Sequence, residues 1–145
     1  RYLERFAHII GQTWNTLTYV DCFSGPWEAK TDDLSDTSFA IALEELRKAR
    51  ETLSARKDVR IRAMFLEQDR GAYARLSEYC RKQTDIEARQ GAFLDSIAAV
   101  QQFVRTGGAT SFPFIFVDPT GWTGFDLEKI GPLLRFQPGE VLINF

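Results

Sequence analysis

Two rhythms of apolar residues alternate along this chain. Short runs rich in β-branched and aromatic residues, Leu17 to Val20, Ile61 to Leu66, Ile86 to Arg89, Phe114 to Val117 and Glu140 to Phe145, predict five strands. Between them lie segments whose apolar positions return every three or four residues, as on one face of a helix. Leu3, Phe6, Ala7 and Ile10 mark a leading helix from Arg1 to Gly11. Phe39, Ala42, Leu43, Leu46, Ala49 and Leu53 mark a second, capped by Thr37 or Ser38. A third runs from Arg70 to Lys82 with Tyr73, Leu76 and Cys80 inward. Ile97, Val100, Phe103 and Val104 mark a fourth, closed by Gly107 and Gly108. Asp126 caps a fifth carrying Leu127, Ile130, Leu133 and Leu134, with Pro132 as a blemish in its first turns.

Strands alternating with helices imply a parallel sheet with right-handed crossovers and helices on both faces. The expected fold is α/β and Rossmann-like, with strand order 3-2-1-4-5 and one domain over residues 1–145. The acidic stretch from Trp27 to Thr37 has no apolar period and exceeds the usual 2–6 residues of a strand-to-helix connection. It reads as a surface loop, either a lid or a plain insertion.

Composition narrows the class. A formal net charge of -2 gives no support for a globally basic nucleic-acid surface. The basic residues from Arg47 to Arg62 are interleaved with acids and read as a solvated face. One histidine and no Cys/His cluster argue against a zinc site, so no metal is expected. Cys22 and Cys80 lie far apart in different segments, which suits a reduced, cytoplasmic chain. No apolar run approaches the ~20 residues that span a bilayer.

The candidate chemistry sits where strands end. In a parallel sheet the carboxyl ends of the strands are where ligands bind. The first strand runs into Asp21-Cys22-Phe23-Ser24-Gly25-Pro26, a small-residue turn with Gly25 where a backbone can approach a ligand. The second ends in Glu67-Gln68-Asp69, and a carboxylate at that tip accepts ribose hydroxyls in nucleotide-binding folds. Its distance from the first turn exceeds the ~20 residues of dinucleotide sites. Gln90-Gly91-Ala92-Phe93 follows the third strand and can admit an adenine edge, although Phe93 is equally well read as core. The fourth strand stops at Asp118-Pro119-Thr120-Gly121-Trp122, an acid followed by a flat aromatic surface. Each end alone also fits an ordinary capped strand; all on one edge, they form a pocket.

With these features placed, the chain resembles a class I S-adenosylmethionine-dependent methyltransferase core. More narrowly, Tyr19 to Pro26, Phe116 to Trp122 and Glu140 to Phe145 resemble the bacterial three-Cys-motif partner proteins. The resemblance implies that Asp21, Phe23, Ser24 and Gly25 form the turn on the methionine side of S-adenosylmethionine. It implies that Glu67, with Gln68, holds the ribose, and that Gly91, Ala92 and Phe93 neighbour adenine. It also implies a partner, a small protein with three clustered cysteines, and further strands beyond Phe145 that would make this chain a truncated domain.

Asp118-Pro119-Thr120-Gly121-Trp122 is similar to the Asp-Pro-Pro-aromatic motif of methyltransferases acting on exocyclic amines of bases. That similarity implies that Asp118, Pro119, Thr120 and Trp122 position an acceptor nitrogen of a nucleic-acid substrate. Thr120 stands at the second proline, Gly121 at the aromatic, and Trp122 one place later. Two other classes remain open. A nicotinamide oxidoreductase would need the G-x-G-x-x-G fingerprint, and this turn has one glycine. A non-catalytic module could bind the cofactor or serve as a scaffold for the partner.

Overall fold

The computed structural model describes residues 2–25, 29–119 and 126–144. Five parallel strands, β1 (Thr16–Asp21), β2 (Arg60–Glu67), β3 (Ile86–Gln90), β4 (Ser111–Val117) and β5 (Glu140–Ile143), form one sheet in the order β3-β2-β1-β4-β5. The helices are α1 (Tyr2–Gly11), α2 (Ser38–Leu53), α3 (Arg70–Arg81), α4 (Ile97–Arg105) and α5 (Leu127–Leu134), with a 3₁₀ turn at Leu94–Ser96 ahead of α4. The fold is Rossmann-like α/β, as the alternation of apolar rhythms predicts.

The pleat sorts the core into two layers. Leu17, Tyr19, Ile61, Ala63, Phe65 and Phe114 face α1, α2 and α3, meeting Ala7, Phe39, Leu43, Leu46, Leu76 and Cys80. Val20, Met64, Leu66, Ile115 and Val117 face α4 and α5, meeting Ile97, Val100, Phe103, Ile130 and Leu133. Phe65 has no exposed surface and packs between Tyr19 and Phe39, with ring centroids 6.1 and 5.6 Å away. Truncating such a side chain costs ~3–5 kcal/mol. Phe65 lies on the same pleat face as Glu67, so this packing also fixes the end of β2.

The chain departs from its sequence pattern at three places. Pro113, expected to bound the fourth strand, lies inside β4. The Phe116 carbonyl faces β1 and the Val117 carbonyl faces β5, so alternation turns position 113 toward β5. The pairing with β5 begins only at Phe114, and a missing N–H there breaks no ladder bond. On α3, Leu76 and Cys80 are buried, but Tyr73 is only half-buried. Tyr79 takes its place, edge-on to Phe39 at 5.1 Å. Of the two caps expected for α2, Thr37 is the one used, accepting from the Ala40 amide.

The third departure is the loop before α2, which is built rather than bare. Leu34 is 5% exposed and sits at φ 60°, anchoring the loop in the core. Asp36 accepts from the Lys30 amide at 2.7 Å and from Thr31 Oγ1 at 2.8 Å. Residues 29–37 therefore form a stapled turn on α2. Residues 26–28, which precede it, lie outside the described residues.

Candidate functional site

Register places the three strand-end acids relative to one another. Asp21, last in β1, pairs with Phe65 on β2 and Phe116 on β4. Glu67 and Asp118 therefore each stand two residues beyond Asp21, on the strands to either side. Two residues is one pleat period, so all three positions fall on the α1–α3 side of the sheet. Asp21 is the floor of this arrangement, and Glu67 and Asp118 are its walls. This is the switch point of the sheet, where chain order reverses between β1 and β4.

The loops beyond the strand ends are tied down by backbone bonds. The Cys22 amide donates to the Phe116 carbonyl at 3.0 Å, and the Ser24 amide to the Leu66 carbonyl at 2.8 Å. The Gly91 amide donates to the Glu67 carbonyl at 3.0 Å. Gly91 has φ 156°, and a Cβ there would stand 2.7 Å from Ser96 Oγ. Only glycine fits that approach.

The electrostatics at the floor are unusual. Asp21 is 3% exposed. Burial pushes its carboxyl up to about 6, the Phe23 amide and Ser24 hydroxyl draw it back in part, and the charges of Asp118 and Glu67 raise it further. The Phe23 amide donates to Asp21 Oδ1 at 3.0 Å, while Ser24 Oγ donates to the Asp21 carbonyl at 3.0 Å. Burial also raises the Glu67 carboxyl, against the pull of the Asp69 amide, which donates to Glu67 Oε1 at 2.7 Å. Cys22, buried beside Asp21, has its thiol held well above the usual range by desolvation.

Beside Glu67 opens a cavity of about 200 Å³, lined by Cys22, Phe23, Leu66, Glu67, Gln68, Gly91 and Phe93. Phe23 and Phe93 form its aromatic wall, with centroids 5.4 Å apart. Of the residues singled out in the sequence, Phe23, Glu67, Gln68, Gly91 and Phe93 thus meet around one space. Asp21, Ser24, Gly25 and Ala92 do not line it. Ser24 is fully buried with its hydroxyl spent on Asp21, Gly25 is buried, and the Ala92 carbonyl accepts from Ser96 Oγ at 2.9 Å. Asp118 and Pro119 are half-buried at the end of β4. Thr120 and Trp122 lie outside the described residues.

Asn144 was not distinguished by the sequence reading. It follows β5, and its Nδ2 donates to Asp118 Oδ1 at 3.1 Å. A polar residue ending an apolar strand, as the acids end β1, β2 and β4, is the signal that could have found it.

A larger groove, about 560 Å³, lies between Asp32–Leu34 and α3, lined also by Arg75, Glu78, Tyr79 and Lys82. Its charges are mixed, and none of the strand-end residues lines it. Among the described residues no group of three or more His, Cys, Asp or Glu could hold a metal ion. Nor is any described helix long and apolar enough to cross a membrane.

No family model matches the chain, and no curated protein matches it. Solved structures do. Protein LPL1258 from Legionella pneumophila, of family DUF519, is 13% identical with a TM-score of 0.55, over 97% of this chain and 64% of that one. The proposed methyltransferase yhhF from Escherichia coli is 20% identical with a TM-score of 0.48, over 86% of this chain and 52% of that one. The chain thus spans about half to two thirds of the length of these structures. At such identities the likeness to LPL1258 is one of fold, and it agrees with the Rossmann-like sheet.

Proposed function

We propose that this chain carries the cofactor site of an S-adenosylmethionine-dependent methyltransferase. The observation that carries the reading is the convergence of Asp21, Glu67 and Asp118 at the switch point, beside a cavity walled by Phe23 and Phe93. The cavity is smaller than the ~300–1,000 Å³ of most small-molecule sites, so it suits one part of the cofactor, the adenine. Glu67 at its rim then takes the ribose hydroxyls, and Gln68 flanks them. Phe23 packs with Phe93 against the base, and the main chain of Ser24 and Gly25, in the turn over the buried Asp21, is assigned to the methionine side. Gly91 passes beneath the base, and Ala92 supports that turn through its bond with Ser96.

Asp118 lies across Asp21 from this cavity and serves the methyl acceptor. An accepting carboxylate there, followed by Pro119, suits an N–H donor such as an exocyclic amine of a nucleic-acid base. Thr120 and Trp122 would complete that side. The contribution is positioning of the acceptor nitrogen against the methyl group.

Calorimetric titration of the full-length protein with S-adenosylmethionine, S-adenosylhomocysteine and NAD tests the reading. Binding of the two adenosyl compounds and not NAD is expected; binding of NAD alone would overturn it. Cofactor binding with no methyl transfer to nucleic acid or protein would leave a cofactor-dependent scaffold. The resemblance to three-Cys-motif partner proteins supplies the scaffold's candidate client, a small three-Cys-motif protein, which co-purification would test.

A further inference from the structure

We infer that Asn144 is a positioning residue for the methyl acceptor, acting through Asp118; this rests on the methyltransferase reading. Asn144 holds the end of β4 by two bonds from one residue. Its main-chain amide donates to the Val117 carbonyl at 2.9 Å, and its side-chain Nδ2 donates to Asp118 Oδ1 at 3.1 Å. The first bond extends the β4–β5 ladder past Ile143 and fixes where the Asn144 side chain starts. The second, between the exposed Asn144 and the half-buried Asp118, then orients the carboxylate. The amide must present its nitrogen, because its own carbonyl turned toward a carboxylate would be repelled.

The consequence is an asymmetry in Asp118. Oδ1 is committed to Asn144, whereas Oδ2 takes no hydrogen bond among the described residues. A carboxylate pinned through one oxygen keeps the other as a single, oriented acceptor. It therefore selects an acceptor substrate bearing an N–H or O–H donor, and it holds that group in one direction. No other described side chain braces Asp118.

The test uses the full-length protein, S-adenosylmethionine with a labelled methyl group, and cell-extract nucleic acid. Asn144→Ala and Asn144→Asp are compared with wild type at mildly alkaline and mildly acidic pH. Each variant should transfer methyl groups roughly tenfold more slowly at alkaline pH, the size of one lost positioning hydrogen bond. Cofactor affinity by calorimetry should stay within a few fold. On acidification the rate of Asn144→Asp relative to wild type should recover, because a protonated carboxyl can donate to Asp118. The same ratio for Asn144→Ala should stay flat.

Wild-type rates in both variants would overturn the inference. So would a parallel loss of cofactor affinity, or an Asn144→Asp ratio indifferent to pH, since either would mark Asn144 as a structural end of β5. Failure of the underlying reading is seen elsewhere, in a wild-type protein that transfers no methyl group, and it removes the inference with it.

Discussion

Glu67 stands two residues beyond the β2 position that pairs with Asp21, so the two carboxylates share one face of adjacent strands at successive levels. Among the described residues neither has a basic partner. Each is met instead by a backbone amide, from Phe23 for Asp21 and from Asp69 for Glu67. At Glu67 the Asp69 amide engages Oε1, and the side chain lines the cavity. Glu67→Ala should weaken S-adenosylmethionine binding by about 1–3 kcal/mol, as charged acceptors of ribose hydroxyls do when lost. An unchanged dissociation constant by titration would remove Glu67 from the cofactor site.

Asp118 should separate from Glu67 in kinetics. On the proposed reading Asp118→Ala keeps cofactor affinity within a few fold and lowers methyl transfer by roughly 10²–10³. Transfer of labelled methyl to nucleic acid, wild type and variant side by side, measures it. Equal labelling by both proteins would place Asp118 outside the chemistry.

The raised carboxyl of Asp21 predicts a pH dependence of folding with a definite sign. The native group holds its proton to about pH 6, whereas an unperturbed aspartate releases it near 3.8. Between these values the native state binds more protons than the unfolded chain. The stability Asp21 contributes is therefore full below the lower value and lost as pH rises through about 6, a swing on the order of 3 kcal/mol. Asp21→Asn keeps an acceptor for the Phe23 amide and removes the titration. Urea melts should show the variant gaining on wild type as pH rises through this window, and at neutral pH it should be the more stable protein. A stability difference that does not vary with pH would show that Asp21 titrates normally.

Gly91→Ala adds a Cβ 2.7 Å from Ser96 Oγ at a φ of 156°. Strain of this kind costs ~1–3 kcal/mol, and rotating the Ser96 hydroxyl away would break its bond to the Ala92 carbonyl in the same turn. A lowered urea midpoint together with weaker adenosyl binding is the expected result. Gly91→Ala combined with Ser96→Ala removes the hydroxyl and should restore part of the loss. No restoration would locate the cost in the backbone angle alone.

The sequence carried the elements and their order because apolar period and strand-end acids are local signals. Asp21, Glu67 and Asp118 could each be found as an acid ending a β-rich run. Their shared face could not, since register is decided by pairing across strands that are distant in the chain. Asn144 escaped for the same reason: its partner Asp118 is on another strand. Pro113 misled because its tolerance depends on how far β5 extends, and Leu34 because nothing local marks a leucine at positive φ as an anchor.

The two cysteines mark the two layers of this sheet, Cys22 also lining the cavity beside Glu67. Cys22 belongs to the layer beneath α4 and α5, Cys80 to the layer beneath α1, α2 and α3, and both are free and buried. Desolvation holds both thiols protonated, Cys80 up to about 12, so neither reacts until its own layer opens to water. The protein thus carries one native reporter per face. Trapping each thiol with an alkylating reagent in the absence of denaturant would time the breathing of the two layers separately.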